Sequence, residues 1–94
     1  MIIALLQVVD RTRAAEHLEA HQAWLSEGVA SGHVLLVGNL SEGRGGALLL
    51  HGLDSAEARS MLDTDPFVAH GVVDLEIHEI SPHTTDPRLA FLAA

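Results

Sequence analysis

The chain alternates short apolar runs with stretches of helical periodicity, and this order limits its fold more than any other property. Three runs of strand length, residues 2–9, 33–38 and 47–53, are rich in Leu, Val and Ile. A fourth, residues 72–80, alternates apolar side chains with Asp, Glu and His. Residues 39–46, between the second and third runs, are rich in turn formers. We therefore predict four strands, of which the middle two form a hairpin.

Two helices are predicted between these strands. From about residue 13 to residue 31, apolar positions recur at spacings of three or four, which is typical of a helix with one buried face. This stripe consists of Leu18, His21, Leu25 and Val29. Gly32 follows as a helix stop. Asp54 or Ser55 can cap a second helix, which runs to about Leu62.

The resulting order, βαββαβ, is typical of the ferredoxin-like sandwich. In this α+β fold, both helices cover one face of a four-stranded antiparallel sheet, with the first and third strands in the middle and the fourth at an edge. The 94 residues are predicted to form a single domain, 1–94. Its core covers about residues 1–80, and residues 81–94 form a C-terminal tail that ends in a short helix.

The first three predicted strands are apolar on both sides, although the helices can bury only one face of the sheet. Exposed Leu and Val side chains favour association by about 25 cal/mol for each Å² that they bury. We therefore expect the open face to be covered by a second copy of the chain, in a homodimer or a larger homo-oligomer. The alternative is that the C-terminal tail covers it.

Composition excludes several classes of function. The formal net charge is −8, which disfavours nucleic acids and anionic membranes as partners. All five basic residues are arginine, so the chain has no lysine for a Schiff base, and it has no cysteine for thiol chemistry. The N-terminus lacks the basic and apolar pattern of a secretory signal, and we expect a cytoplasmic protein.

His21 is the first candidate for a functional residue. It lies on the apolar stripe of the first predicted helix, between Leu18 and Leu25. An imidazole in this place needs a hydrogen-bond partner, because an unpaired buried polar group costs about 1–3 kcal/mol. It is either a core histidine bonded to a backbone carbonyl or a group that takes part in proton chemistry near neutral pH.

Asp65 is the second candidate. It precedes a proline and an apolar residue, a pattern that indicates a helix N-cap with proline at the first helical position. Residues 65–71 would then form one helical turn that ends at Gly71. A capping aspartate is held in place and ionised, so the same residue could also orient an imidazole.

Other residues give weaker signals. His17 and His21 are four apart, a spacing that can bind a metal, but the intervening glutamate does not stand where a zinc protease has it, and we expect no metal. His51 either points into a site or ends its strand. Trp24 either packs in the core or forms a wall of a pocket.

Two segments, "AHQAWLSEGVASGHVLLVGNL" and "DSAEARSMLDTDPFVAHGV", resemble the YciI-like (YCII-related) family of dimeric α/β-barrel proteins. The resemblance runs from Met1 to about Ile80. In that family, a histidine of the first helix and the aspartate before the proline form a paired active site, and the matching positions are His21 and Asp65. The family's turn after the second strand usually reads Gly-Pro, whereas this chain has Gly38-Asn39.

The resemblance implies proton transfer on a small aromatic, lactone or enol-like molecule, without a cofactor. His21 would be the general acid or base, and Asp65 would orient it. The alternatives are a module that binds a small ligand without converting it, and an accessory dimer in which His21 is only a core residue.

Overall fold

The structure is a computed structural model that describes residues 1–93. The four strands are β1 (Ile2–Val8), β2 (Val34–Leu40), β3 (Gly45–Leu50) and β4 (Val73–Glu79). The helices are α1 (Arg11–Ser31), α2 (Ser55–Leu62) and the one-turn α3 (Pro66–Ala69). Two 3-10 helices are also present, Ser41–Gly43 in the β2–β3 turn and Pro87–Ala93 in the tail. Among the described residues, no helix is long and apolar enough to span a membrane.

The strands form one sheet in the order β2-β3-β1-β4, and each neighbouring pair is antiparallel. β1 and β3 are in the middle and β4 is at an edge, so the prediction of a ferredoxin-like α+β fold is confirmed. The register places Leu6 between Gly46 on one side and Leu75 on the other. β2 contains an irregularity between Val34 and Leu36, where the pairing with β3 shifts.

The β2–β3 connection is shorter than the sequence predicts. β2 continues through Asn39 to Leu40, and β3 already begins at Gly45, so the turn is Ser41–Arg44 instead of residues 39–46. Glycine has a low strand propensity, so the sequence does not predict that Gly45 and Gly46 belong to β3. Partners on both neighbouring strands override this propensity, because Gly45 pairs with Gln7 as well as with Leu40.

The core lies between the sheet and the helices. In β1, β3 and β4, alternate residues point towards the helices, and these are the most buried ones of each strand. The buried apolar side chains are Ile2, Ala4, Leu6, Val34, Leu48, Leu50, Ala58, Leu62, Phe67, Val72 and Val73. From α1, Trp24 and Leu25 pack against this cluster. These contacts pack α1 against the helix-facing side of the sheet.

The start of α2 and the end of α1 are capped by residues that the sequence indicates. The Asp54 carboxylate accepts a hydrogen bond from the Glu57 backbone N–H, and the Glu57 carboxylate accepts one from Asp54 N–H in return. Asp10 caps α1 by accepting from Arg13 N–H, which starts this helix two residues earlier than predicted. Gly32 ends α1 in the left-handed conformation.

The other face of the sheet carries no helix. Ile3, Leu5 and Leu49 are partly exposed on it, and Leu36 is 54% exposed. On β4 the same face is polar, with Asp74, Glu76 and His78. The tail returns near the end of β3, where the Phe91 ring packs edge-on against His51. Apolar side chains on the face formed by β1, β2 and β3 remain in contact with solvent.

Candidate functional site

The site is built where α1 passes the junction between α2 and α3. Asp65 is the N-cap of α3, and its Oδ1 accepts a hydrogen bond of 3.1 Å from the Phe67 backbone N–H. Pro66 occupies the first helical position, where its missing N–H costs nothing. The capping role that the sequence predicts for Asp65 is therefore present. The cap also holds the carboxylate rigidly on the side of the junction that faces α1.

His21 meets this carboxylate although 44 positions separate the two residues. Its Nδ1 lies 2.7 Å from Asp65 Oδ1. The His21 side chain is 13% exposed and the Asp65 side chain is fully buried. One face of the imidazole stacks on the Phe67 ring, with the centroids 3.9 Å apart and the planes within 5°. A contact on the edge and another on the face of the ring thus fix its orientation.

The hydrogen bond also selects the tautomer of His21. An ionised carboxylate can only accept hydrogen bonds, so Nδ1 must carry the proton that it donates to Asp65. In the neutral imidazole, Nε2 then has a free lone pair. Nε2 has no hydrogen-bond partner within residues 1–93. The arrangement therefore provides a base at Nε2 and a fixed anion behind it.

Asp65 itself is only partly satisfied. Its Oδ1 accepts from two donors, the imidazole of His21 and the backbone N–H of Phe67. Its Oδ2 is buried and has no hydrogen-bond partner in the described part of the chain. A buried carboxylate oxygen without a partner is costly, and such a group in a native structure calls for an explanation. When His21 carries a second proton, its positive charge compensates the carboxylate directly.

A cavity of about 330 Å³ lies beside His21, between α1 and the sheet. Most of its lining is apolar, from Leu6, Leu25, Leu48, Phe67 and neighbouring side chains. His21, Gln22 and Asn39 are the polar side chains that line it, and no described Asp, Glu, Arg or Lys does so. A cavity of this size with few polar groups is typical of a small-molecule site.

Trp24 does not line this cavity. One turn after His21, its indole N–H donates a 2.8 Å hydrogen bond to the Thr64 hydroxyl, which in turn donates to the Met61 carbonyl. Thr64 is the residue before Asp65. Two side chains from the same helix, Trp24 and His21, therefore bond to consecutive residues of the α2–α3 junction.

The remaining histidines lie away from this bond. The His17 ring stacks on the His70 ring, with the centroids 4.0 Å apart, so it does not join His21 as a pair of ligands. In residues 1–93 there is no group of three or more His, Cys, Asp or Glu that could hold a metal ion. The His51 carbonyl lies 3.2 Å from the Nδ1 of His33 and accepts its hydrogen bond, at the end of β3 and outside the cavity.

The sequence predicts His21 and Asp65 as candidate residues but does not predict their surroundings. Phe67 was treated as an apolar residue after a cap, and Gln22 was not considered. Asn39 was assigned to a loop, whereas it lies on the helix-facing side of β2. The sequence carries no signal for these contacts. A helical pattern places Gln22 next to His21 but does not tell where a cavity opens.

Comparison of the sequence with curated proteins found no significant match. Among solved structures, the chain is similar to 5-chloro-2-hydroxyhydroquinone dehydrochlorinase (TftG) from Burkholderia phenoliruptrix AC1100, in complex with 2,5-dihydroxybenzoquinone. The TM-score is 0.67 at 18% sequence identity, over 85% of this chain and 93% of the other. This likeness is one of fold. The family model of the YCII-related domain matches residues 2–81, and the chain therefore belongs to the YCII-related domain family.

Proposed function

We propose that the protein is a cofactor-independent enzyme that transfers protons on a small aromatic, lactone or enol-like molecule. The observation that carries the proposal is the 2.7 Å bond between His21 Nδ1 and the buried Asp65 carboxylate at the wall of a cavity. A proton transfer needs a base with a free lone pair, an orienting group and a space for the substrate. In this proposal, His21 Nε2 is the base, Asp65 is the orienting group and the cavity is the space for the substrate.

In this proposal, His21 Nε2 removes a proton from the bound molecule, and the imidazolium then returns it to another atom of the same molecule. Where a chloride leaves the ring instead, the imidazolium gives the proton to solvent. Asp65 keeps the proton on Nδ1 and stabilises the imidazolium that forms after the first transfer. The Phe67 ring keeps the imidazole plane in place. A positioned acid–base group of this kind contributes about 10²–10⁴-fold to the rate.

The cavity lining supports a compact substrate with few polar atoms. Apolar walls favour a ring, and the amides of Gln22 and Asn39 can each donate and accept hydrogen bonds to hydroxyl or keto oxygens. A phosphorylated substrate would bury charge without a cationic partner among the described lining residues, which is unfavourable. The structural neighbour TftG acts on a small hydroxylated ring, which supports the same class for this chain.

We further propose that the active form is a homodimer. The side chains that carry this proposal are the partly exposed Ile3, Leu5, Leu36 and Leu49. Burying them against a second copy would remove apolar surface from water, at about 25 cal/mol for each Å². Two sheets that pack through these faces would form an α/β barrel.

The experiment is turnover against a panel of small enols, lactones and hydroxylated rings, including 5-chloro-2-hydroxyhydroquinone, followed by absorbance. We expect at least one compound to be converted, and we expect His21→Gln to slow its conversion by about 10²-fold or more. Gln keeps a hydrogen-bonding side chain on α1 but cannot act as a base. The surface variant His83→Gln is the matched control.

The same panel tests the alternative, a module that binds a small ligand without converting it. Calorimetric binding of a panel compound, with no conversion by the wild-type protein, would support this alternative. Conversion that His21→Gln leaves unchanged would show that the imidazole has no part in the chemistry.

A further inference from the structure

The helix-facing side of β3 lacks a side chain at one position. This side consists of Leu50, Leu48 and Gly46, and the two leucines are buried in the core. Leu6 on β1 and Asn39 on β2 lie in register with Gly46, one on each side of it. The place where a third large side chain would stand is part of the cavity floor, because Gly46, Leu6 and Asn39 all line it.

The backbone does not require glycine at position 46. At the preceding position it does, because a Cβ on Gly45 would lie 1.9 Å from the Leu6 carbonyl oxygen and φ is +140°. At Gly46, φ is not in the left-handed region. Within residues 1–93, the one non-neighbouring atom inside 4 Å of a Cβ built there is the Gly38 carbonyl oxygen, at 3.3 Å. An alanine therefore needs only a small shift of an edge strand, and the remaining direction is the open space of the cavity.

We propose that Gly46 is the residue that determines the size of the substrate. The space left by its missing side chain takes one edge of a single planar ring, and the Asn39 amide beside it binds an oxygen on that edge. This inference deepens the proposed function and rests on it, since it places the ring in the same cavity as His21. The substrate class is then a six-membered ring with oxygen substituents. The ring fills the cavity closely enough that one added methyl group weakens its binding.

The shape of the cavity floor favours the edge of a ring over a flexible chain. Leu6 and Leu48 are core side chains that are 3% exposed each, so moving them to admit a thicker molecule would disturb the packing of the core. Neighbouring strands lie about 5 Å apart, so the gap that Gly46 leaves between Leu6 and Asn39 has the width of one strand, with about 5 Å to either side. A planar ring is thin enough to enter such a gap with its substituents towards Asn39.

The test uses two probes of one ring, 2,5-dihydroxybenzoquinone and its 3,6-dimethyl derivative, and measures both dissociation constants by calorimetry. In Gly46→Ala, the methyl group of the protein and the methyl groups of the ligand compete for the same space. We expect this variant to bind the dimethyl probe about 10-fold more weakly, relative to the unmethylated one, than the wild type does. Asn39→Leu should weaken both probes by about the same factor, since both carry the ring oxygens.

Ala56→Val is the matched control, because it adds methyl groups at an exposed position of α2 that neither lines the cavity nor lies on the open face of the sheet. It should leave the ratio of the two affinities within about twofold, well below the effect of one methyl group in a pocket. A Gly46→Ala protein with the wild-type ratio would overturn the proposal. So would a wild-type protein that binds neither ring.

The outcomes separate this inference from the proposed function. If Gly46→Ala changes the affinity ratio but no turnover depends on His21, the cavity is a binding site and the proposed enzyme activity is contradicted. Turnover that depends on His21, with no effect of Gly46→Ala on the affinity ratio, would support the enzyme and contradict the proposal that Gly46 determines the size of the substrate.

Discussion

At the scale of single residues, Asp65 combines a structural role with a proposed functional one. It caps α3 through Phe67 N–H and holds His21 through Nδ1, and both bonds end on the same oxygen, Oδ1. The cap explains why an aspartate stands before the proline. It does not explain why the neighbouring helix α1 presents an imidazole to the same carboxylate.

The two roles differ in their effect on stability. Asp65→Ala should lower the free energy of unfolding by more than the loss of a cap alone, which costs about 0.5–2 kcal/mol. The additional loss, about 1–3 kcal/mol, arises because His21 Nδ1 is left without its acceptor in a nearly buried place. Urea unfolding measures both. Asp54→Ala, which removes the exposed cap of α2, is the control and should cost the cap energy only. Equal losses in the two variants would contradict the prediction.

The charge of Asp65 can be tested apart from its shape. Asp65→Asn keeps the oxygen that caps α3 and accepts from His21, but it cannot stabilise an imidazolium. We expect a folded protein whose kcat, on whichever panel compound the wild type converts, falls by about 10²-fold. Asp63→Asn, two residues earlier on the surface and paired with Arg59, should leave kcat unchanged. An unchanged kcat in the Asp65 variant would reduce Asp65 to a cap.

At the scale of elements, the connection between α1 and the α2–α3 junction holds the site together. His21 and Trp24 bond to Asp65 and Thr64, which are consecutive in the chain. A shift of α1 along its axis would break both bonds at once. The pair therefore acts as a two-point attachment, and the position of the carboxylate relative to the imidazole depends on it.

Thr64→Val should weaken this attachment without changing the size of the side chain. We expect the free energy of unfolding to fall by about 1–3 kcal/mol, because the hydroxyl makes two hydrogen bonds, each with a usual net contribution of about 0.5–1.5 kcal/mol. Trp24 is the only tryptophan, so its indole N–H gives a single NMR resonance, which should move upfield when its acceptor is lost. Thr64→Ser retains the hydroxyl and should restore both values. A wild-type indole shift in the Val variant would mean that the bond is absent in solution.

The start of β3 provides a second test at this scale. Gly45→Ala places a Cβ against the Leu6 carbonyl at a positive φ, and we expect it to cost about 3 kcal/mol or more. Gly46→Ala, one position later, should change the stability by about 1 kcal/mol at most. Thermal unfolding of the two variants side by side measures the difference. Similar values would remove the structural distinction between the two glycines.

At the scale of the whole molecule, the two faces of the sheet differ in kind. The helix-facing side contains the fully buried Ile2 and Leu50, whereas Leu36 and Leu49 lie on the other side in contact with solvent. Because exposed apolar faces favour association, we expect this face of an otherwise acidic protein of net charge −8 to bind a partner of the same apolar character. A second copy of the same face meets this requirement, because isologous contacts pair a surface with itself.

Leu49 and Leu50 are neighbours in sequence that should respond in opposite ways to a charge. Leu49→Glu places the carboxylate on the open face, and we expect a folded monomer where the wild type sediments as a dimer at micromolar concentration. Leu50→Glu buries the charge in the core and should unfold the protein. Sedimentation and circular dichroism distinguish the two. A monomeric wild type would refute the dimer.

The sequence by itself was sufficient for the element order, the helix caps and the fold class. These depend on periodicity and on short-range chemistry: the stripe of α1, the capping signals at Asp54 and Asp65, and the alternation in β4 can each be read within a few residues. Local patterns singled out both candidate residues, but their pairing came from a family resemblance, because nothing local connects His21 with a residue 44 positions away.

Only the tertiary structure decided what surrounds the pair. The 2.7 Å bond, the stacking of His21 on Phe67 and the cavity depend on how α1 lies across the sheet. Likewise, the face on which Leu49 or Leu50 lies depends on strand register, and a shift of one residue reverses every side chain of a strand. Register is set by the pairing of distant strands. For this reason, the pattern of a single run such as "GGALLL" could not distinguish the glycine required by the backbone from the one that opens the cavity.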